Sequence, residues 1–244
     1  MPHSAFIQGC IKISLLALGS NRADAFIRRF ATEADEAFAA TRRRADARLR
    51  ATAGRALLRA TLADCGKPKP AAWRIESAGN GKPYAVSPDG GSGPPISISH
   101  SHNRVAIAVG IGLDHQGNLG VDVEYHDPRR PVAALARAAF GPREAAEVER
   151  NERSFYRIWT LREAMAKATG DGLTRAADGE DLVAGLEGVH TSTIGDGPCR
   201  LWHIASLAPA PDYSLALALH GLVRDLDRSW SPDCLRLKRY PDGA

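Results

Sequence analysis

The chain is poor in cysteine, with four in 244 residues, and no two of them form a Cys-x-x-Cys pair. Cys10, Cys65, Cys199 and Cys234 are scattered, which argues against a zinc knuckle and a disulfide framework. A reducing, cytoplasmic setting is the expectation. Long apolar runs are also absent, since the stretch 13–19 falls well short of the ~20 residues that span a bilayer. No small-residue cleavage pattern follows it, so we expect neither a membrane protein nor a signal peptide.

Aromatic residues are scarce as well, at 6% of the chain, which leaves few platforms for stacking nucleic-acid bases. Neither sign of charge dominates, because the chain has 32 basic and 28 acidic residues and a net charge of +4. This modest basic surplus is compatible with a phosphate-bearing ligand, an acidic partner protein or nucleic acid, and does not choose among them. The length allows one large domain or two small ones.

Arginines cluster in the stretch TRRRADARLRATAGRALLR, residues 41–59. As a helix, this stretch places small and apolar residues on one stripe and arginines on another face. The arginines of that face are Arg44, Arg48, Arg55 and Arg59. Two interpretations stay open: a solvated helix face, or an anion site that uses one or two of these side chains.

The order of sequence patterns predicts an α+β protein. We expect strands at 10–19, 96–101, 103–112, 119–125, 182–186, 199–207 and 213–221, a strand, an Asn-Gly turn and a second strand within 74–86, and helices at 23–30, 33–63 and between 131 and 170, with a break at Gly141-Pro142. Pro142 suits the first turn of a helix, and Gly170 suits a left-handed helix cap. Segments 28–39 and 137–149 resemble each other, and each leads into a long helix. We therefore expect one lobe at 1–115, a second at 116–225 and a peripheral tail at 226–244.

The stretch GVDVEY, residues 120–125, alternates two valines with Asp122 and Glu124. Residues two apart on a strand share a face, so the two carboxylates point the same way. This is either the polar face of a half-buried strand or a cation site, since neighbouring carboxylates repel unless something positive lies between them. Mg²⁺ prefers carboxylate oxygens and keeps waters or phosphate oxygens as further ligands. A third carboxylate or a ligand phosphate should complete such a site.

Glu163 and Lys167 lie four residues apart on one predicted helix face. An exposed pair of this kind contributes only about 0.3–0.5 kcal/mol. If the face turns toward Asp122 and Glu124, the same spacing places a third carboxylate beside a cation. That combination suits transfer at a phosphate, because metal and lysine offset developing charge while a carboxylate accepts a proton from the attacking hydroxyl.

Serines alternate with isoleucines in ISISHSHN, residues 96–103, at Ser97, Ser99 and Ser101. Ser99 and His100 end a strand after a Gly/Pro-rich loop, where they form either a phosphate cradle or a capped strand end. Zinc held by His100, His102 and Asp122 is a rival interpretation, without support from a His-Glu-x-x-His motif or a cysteine cluster. Lys82 follows an Asn-Gly turn as either a phosphate contact or a solvated lysine.

In order, the stretches GKP, ISISHS, GVDVE and FYRIWTLREAMAKATGDGL resemble the 4′-phosphopantetheinyl transferases, in particular the large monomeric, surfactin-synthetase-associated class. The most specific motifs are Gly-x-Asp-x-Glu and the later Trp-x-x-Lys-Glu-Ala-x-x-Lys. The resemblance covers residues 42–173 by motif. It implies two similar lobes related by pseudo-twofold symmetry, each a small antiparallel sheet packed with a long helix, with coenzyme A bound between them.

The implied reaction moves the 4′-phosphopantetheine arm of coenzyme A onto a serine of an acyl or peptidyl carrier protein and releases 3′,5′-adenosine bisphosphate. The resemblance also implies a monomer and a carrier whose recognition helix is acidic. Two other functions remain as alternatives: a non-catalytic relative that binds coenzyme A or a carrier protein, and a nucleic-acid-binding protein that uses the arginine helix. The second lacks a recognised motif, so we expect no nucleic-acid partner.

By motif position, the resemblance implies that Asp122, Glu124 and Glu163 surround Mg²⁺, or Mn²⁺ as an alternative, at the coenzyme A pyrophosphate. Glu163 would also be the base for the carrier serine, directly or through a water. Lys167 would hold a pyrophosphate oxygen and assist the leaving group.

The remaining implied contacts are to the nucleotide. Ser99 and His100 would contact the nucleotide phosphates, Lys82 the nucleotide end, and Arg50 the 3′-phosphate. Arg42 and Arg43 are candidate helpers for Arg50. One departure from the family pattern is Arg162, which stands where lysine is usual and keeps the charge but not the shape.

Overall fold

The computed structural model describes residues 10–65, 69–113, 118–170, 182–186, 189–192, 200–222 and 235–240. Within them the chain is a mixed α+β protein. Its helices are α1 (Asn21–Phe30), α2 (Glu33–Ala40), α3 (Ala45–Asp64), α4 (Val132–Ala139), α5 (Pro142–Arg150) and α6 (Arg153–Thr169). Its strands are β1 (Cys10–Ala17), β2 (Arg74–Ser77), β3 (Pro83–Val86), β4 (Ile96–Ser101), β5 (Arg104–Ile111), β6 (Asn118–Tyr125), β7 (Val189–Ser192), β8 (Arg200–Ala210), β9 (Tyr213–Leu222) and β10 (Leu235–Tyr240).

The strands form two four-stranded sheets and one hairpin. The first sheet has the order β10-β1-β5-β4, the second has the order β6-β9-β8-β7, and β2 pairs with β3. All neighbours are antiparallel except β1 and β10. In each sheet one strand is followed along the chain by three helices, of which the last is long: β1 by α1 to α3, and β6 by α4 to α6. The strand orders β1-β5-β4 and β6-β9-β8 are alike, whereas β10 is added beside β1 and β7 beside β8.

The two sheets face each other across a shared apolar core. Ile13 and Ala106 of the first sheet pack there with Val121, Val123 and Leu217 of the second. The opposite face of the first sheet packs on α3, with α1 in the same apolar cluster. The opposite face of the second sheet packs on α6, with α4 and α5 in the same cluster. The valines of β6 therefore point into the core, as their alternation predicts, and the even-numbered residues of β6 point toward α6.

Local signals explain most element boundaries. The Ser20 side chain accepts the Ala23 N–H and caps α1, while Pro142 occupies the first turn of α5. Gly170 ends α6 with φ at 80°, in the left-handed region where glycine carries no strain. The predictions for Pro142 and Gly170 are confirmed. The prediction of one helix over 33–63 is wrong, because a turn at 41–44 separates α2 from α3. Arg48 donates to the carbonyls of Arg42 and Arg43 and so stabilises that turn.

Three segments near the C-terminal end differ from expectation. Residues 182–186 contain a short 3-10 turn instead of a strand, and β7 was not anticipated. Residues 235–240, expected in a peripheral tail, add an edge strand beside β1. Tyr240 packs against the first apolar core, and its hydroxyl and the Lys238 ammonium both donate to Asp64 at the end of α3. In the part of the chain that the structure describes, no helix combines the length and hydropathy of a membrane span.

Candidate active site

Strand β6 and helix α6 touch backbone to backbone, and Gly120 makes this approach possible. A Cβ built on Gly120 would lie 1.9 Å from the carbonyl oxygen of Ala164 and 2.6 Å from the backbone nitrogen of Ala168. Gly120, Asp122 and Glu124 share the face of β6 that is turned toward α6. Glu163 and Lys167 therefore lie on the side of α6 that is close to Asp122.

Asp122 is the centre of the site, with only 3% of its surface exposed. Its Oδ1 accepts hydrogen bonds from Lys167 Nζ at 2.7 Å and from Ser99 Oγ at 2.7 Å. Lys167 Nζ also donates to Ser99 Oγ at 2.8 Å. The three side chains come from β6, α6 and β4, so the site joins both sheets.

Glu163 and Glu124 flank this centre with perturbed acidities. Burial, followed by the negative charge of Asp122, raises the pKa of Glu163 above its ordinary value, and Lys167 opposes the shift. Burial and Asp122 likewise raise the pKa of Glu124, against a hydrogen bond from Ser101. Both glutamates thus hold their protons more tightly than free glutamate does, because ionisation would add negative charge beside Asp122.

The chemistry of this site fits a divalent cation. Oδ2 of Asp122 is buried and has no hydrogen-bond partner within the described part of the chain, and carboxylate oxygens are the ligands that Mg²⁺ prefers. The mutual repulsion among Asp122, Glu124 and Glu163 is what a cation would relieve. As the side chains stand, no three Asp, Glu, His or Cys residues among those described form a ready cage. Lys167 takes the place beside Asp122, so metal binding requires side chains to rotate.

A cavity of about 420 Å³ opens beside these groups. Its walls include Lys82, Ser97, Glu163, Lys167 and Gly170. Lys82 reaches across from the β2–β3 hairpin and donates to the Ala168 carbonyl at the end of α6, and burial lowers its pKa. The volume lies within the range of small-molecule sites, roughly 300–1,000 Å³. A larger cavity of about 800 Å³ lies near the end of β5, but none of the predicted site residues lines it.

Arg50 and His100 lie beside the site rather than in its centre. Surrounding protein, together with the charges of Arg50 and Lys167, lowers the pKa of His100, although its side chain is exposed at the end of β4. Arg50 donates to Asp46 at 2.9 Å and to the His102 carbonyl at 3.5 Å. His102 stacks on Tyr125 with ring centroids 4.6 Å apart, which gives the zinc interpretation no support.

Two arginines of helix α3 belong neither to a solvated face nor to an anion site. Arg55 and Arg59 are buried, at 6% and 3% exposed. Arg59 forms a two-pronged ion pair with the fully buried Asp35, at 2.8 and 3.1 Å. Arg55 donates to the Ile75 carbonyl and lies 3.7 Å from the centroid of the Phe38 ring. Their assignment to a basic surface face is therefore wrong, because Asp35 and backbone carbonyls neutralise them inside the protein.

Arg42 and Arg43 are exposed in the turn before α3. The Arg42 guanidinium lies 4.7 Å from the centroid of the Phe38 ring and donates to Thr41. Neither side chain lines the 420 Å³ cavity. Their proposed help to Arg50 stays a prediction.

The Arg162 side chain points away from the carboxylates of the site and pairs with another one. Its Nη2 donates to Glu144 Oε2 at 2.7 Å, and Glu144 is 1% exposed. The same carboxylate accepts the backbone N–H groups of Gly141 and Leu182. This ion pair fastens α5 and the segment at 182 to α6.

Sequence reasoning missed three contributors. Gly120 was read only as part of a motif, Glu144 was not singled out, and Ser101 was noted only as one of three alternating serines. The pattern of small and hydroxyl-bearing residues was visible, but Glu124 lies 23 residues after Ser101 and Arg162 lies 18 residues after Glu144, so these pairs cannot be read from local spacing.

The comparisons with known proteins agree with the geometry. The model of the 4′-phosphopantetheinyl transferase superfamily matches residues 118–218. The 4′-phosphopantetheinyl transferase HetI of Nostoc sp. is 30% identical over 190 residues, which cover 76% of this chain and 74% of HetI. A putative 4′-phosphopantetheinyl transferase of Synechocystis sp., slr0495, is 37% identical over 26% of this chain and 28% of its own. AcpT of Salmonella typhi is 43% identical over 24% and 33%.

Proposed function

The chain belongs to the 4′-phosphopantetheinyl transferase superfamily, and from that premise we propose how its residues transfer the 4′-phosphopantetheine arm of coenzyme A to a carrier-protein serine. One observation supports the assignment of the site: Glu163 and Lys167 of α6 line one cavity, and Lys167 donates to Asp122 of β6. The transfer forms a phosphodiester at the serine oxygen and releases 3′,5′-adenosine bisphosphate.

Glu163 is the base of this mechanism. It accepts the proton of the carrier serine hydroxyl, directly or through one water, as that oxygen attacks the β-phosphorus of coenzyme A. Its raised pKa suits the role, because a base works best when its pKa approaches the working pH. Its place on the cavity wall gives the incoming hydroxyl a route to it.

Lys167 turns from Asp122 toward the pyrophosphate. Its ammonium holds a phosphate oxygen and offsets the charge that develops on the leaving bisphosphate. The contact with Ser99 keeps the lysine close to the reaction centre before substrate binds.

Asp122, Glu124 and Glu163 would hold the Mg²⁺ or Mn²⁺ ion, with the free Oδ2 of Asp122 as the first ligand. A cation bound there supplies charge neutralisation at the pyrophosphate. Lys167 would leave Asp122 for the substrate when a cation is bound, since an ammonium and a cation would compete for the same carboxylate.

The nucleotide lies along the cavity, with Lys82 at its far end, Ser99 and His100 near the phosphates, and Arg50 at the 3′-phosphate. Ser99 has little spare capacity in this role, because its hydroxyl already serves Asp122 and Lys167. We further propose that the two halves obey approximate twofold symmetry, that the enzyme is a cytoplasmic monomer, and that its carrier presents an acidic helix.

The test is transfer from fluorescent coenzyme A to a panel of apo carrier proteins, scored by fluorescence and by mass, with and without Mg²⁺. We expect Glu163→Gln to lower the labelling rate by about 10²–10⁴-fold, the usual contribution of a general base. Glu149→Gln is the matched control, since Glu149 is exposed and paired with Arg137 away from the site. Near wild-type labelling by Glu163→Gln would remove Glu163 from the mechanism. Calorimetric binding of coenzyme A without any mass gain would favour the non-catalytic alternative.

A further inference from the structure

The two sheets meet at their edges through a row of serine hydroxyls. Ser97, Ser99 and Ser101 of β4 accept the backbone N–H groups of Val121, Val123 and Tyr125 of β6, at 3.0, 3.3 and 3.1 Å. The offset between partners is constant, so the two strands run in the same direction. We name these three contacts the serine ladder.

The serine ladder provides hydrogen-bond acceptors for backbone N–H groups of β6 that would otherwise be unpaired. Strand β6 is the edge of its sheet, with β9 on its other side, and edge N–H groups require an acceptor. Deeper in the same interface the facing residues are apolar, such as Ala106 and Ala108. A hydroxyl accepts through its lone pairs and still has one proton to donate.

At two rungs that proton goes to a carboxylate of the site. Ser99 donates to Asp122, and Ser101 donates to Glu124 Oε2 at 2.9 Å. Asp122 is also held by Lys167. Ser101 supplies the hydrogen bond that the structure gives Glu124, whose side chain is only half-buried.

We propose that Ser101 is a positioning residue that holds the Glu124 carboxylate ready to bind the divalent cation; this rests on the proposed function. Ser101 is itself fixed by the Tyr125 N–H, and the Tyr125 ring stacks on His102. The bond to Oε2 leaves Oε1 for a cation. Loss of the hydroxyl frees the Glu124 side chain to rotate, which weakens the metal site. It also leaves the Tyr125 N–H without its acceptor, while β6 keeps its pairing with β9 along the other side.

The experiment compares Ser101→Thr with Ser101→Val. The two side chains have the same shape and β-branching, and differ by a hydroxyl in place of a methyl. Mn²⁺ binding is measured directly from the free-ion signal in electron paramagnetic resonance, in the presence of coenzyme A. We expect Ser101→Thr to bind Mn²⁺ like wild type and Ser101→Val about 10–100-fold more weakly, the usual effect of losing a residue that orients a metal ligand.

Ser154→Ala is the matched control. Ser154 donates to Glu147 at 2.9 Å, so this variant removes a serine–glutamate hydrogen bond of the same length outside the site. It should leave Mn²⁺ affinity unchanged. Transfer by Ser101→Val should recover when Mn²⁺ is raised to saturation, with the KM for the apo carrier unaltered.

The outcomes separate the two proposals. If wild type transfers and binds Mn²⁺ but Ser101→Val has the same affinity as Ser101→Thr, the positioning role is overturned and the transferase assignment stands. If wild type neither transfers nor binds Mn²⁺ with coenzyme A, both proposals fall. A Ser101→Val protein that loses affinity together with Ser101→Thr also contradicts the proposal, because shape rather than the hydroxyl would then be responsible.

Discussion

Replacing Gly120 by alanine tests whether α6 is seated on the backbone of β6. The new Cβ would lie 1.9 Å from the Ala164 carbonyl oxygen, whereas ordinary contact begins near 3.4 Å. The helix must therefore retreat by about 1.5 Å, since neither partner is a flexible side chain. Glu163 and Lys167 move with it, away from Asp122.

The magnitude follows from that displacement. Overpacking of a core contact lowers the free energy of unfolding by about 1–3 kcal/mol. Each kcal/mol lost lowers the Tm of a chain of this size by about 2–4 °C. A misplacement of about 1 Å at catalytic groups costs about 100-fold in rate. We expect Gly120→Ala to remain folded, to melt several degrees lower and to lose about two orders of magnitude in kcat/KM.

Differential scanning calorimetry and the carrier-labelling assay measure the two effects. Gly79→Ala is the control, because its Cβ would meet nothing within 4 Å and its φ lies outside the left-handed region. A Gly120→Ala protein with the Tm and kcat/KM of wild type would refute the direct seating of α6 on β6. A lower Tm with full activity would show that the catalytic residues do not depend on this contact.

Two further predictions concern charge. Arg162→Met strands the buried Glu144 carboxylate and should cost about 3–5 kcal/mol in stability, without a change in the KM for coenzyme A; a raised KM at unchanged stability would instead place Arg162 at the phosphates. The second prediction uses pH. Because the pKa of Glu163 is raised above 4.5 in the folded protein, the folded state binds more protons than the unfolded chain just above pH 4.5. The contribution of Glu163 to folding stability is therefore greatest below that window and is lost as pH rises through it. In the presence of a chelator, we expect the Tm of Glu163→Gln to fall less than the Tm of wild type as pH rises over this range. Parallel curves of Tm against pH for the two proteins would contradict the raised pKa of Glu163.

Strands, turns and helix ends could be predicted where the signal is local. The alternation in β6, the Asn-Gly turn, Pro142 and the cap at Gly170 each depend on neighbouring residues, and the structure confirms them. The apolar stretch 182–186 predicts a strand, but residues 183–186 form a 3-10 turn, because four apolar residues are too few to define a period.

Contacts between residues that lie far apart in the sequence could not be predicted in this way. Arg59 looks like a surface residue by its position on the helix, and only Asp35, 24 residues earlier, explains its burial. The identities of Asp122, Glu163 and Lys167 as a group followed from a motif, whereas the hydrogen bonds of Asp122 and Lys167 with Ser99 did not. Such contacts depend on how two sheets meet, which no window of sequence records.

The parallel strand β10 bears on how the protein is made. Its partner β1 begins at residue 10, more than two hundred residues earlier in synthesis. While the chain emerges from the ribosome, β1 therefore has β5 on one side and an open edge on the other. Until translation passes residue 240, that edge can recruit a foreign strand, so we expect nascent chains to need a holding chaperone and C-terminal truncations to aggregate.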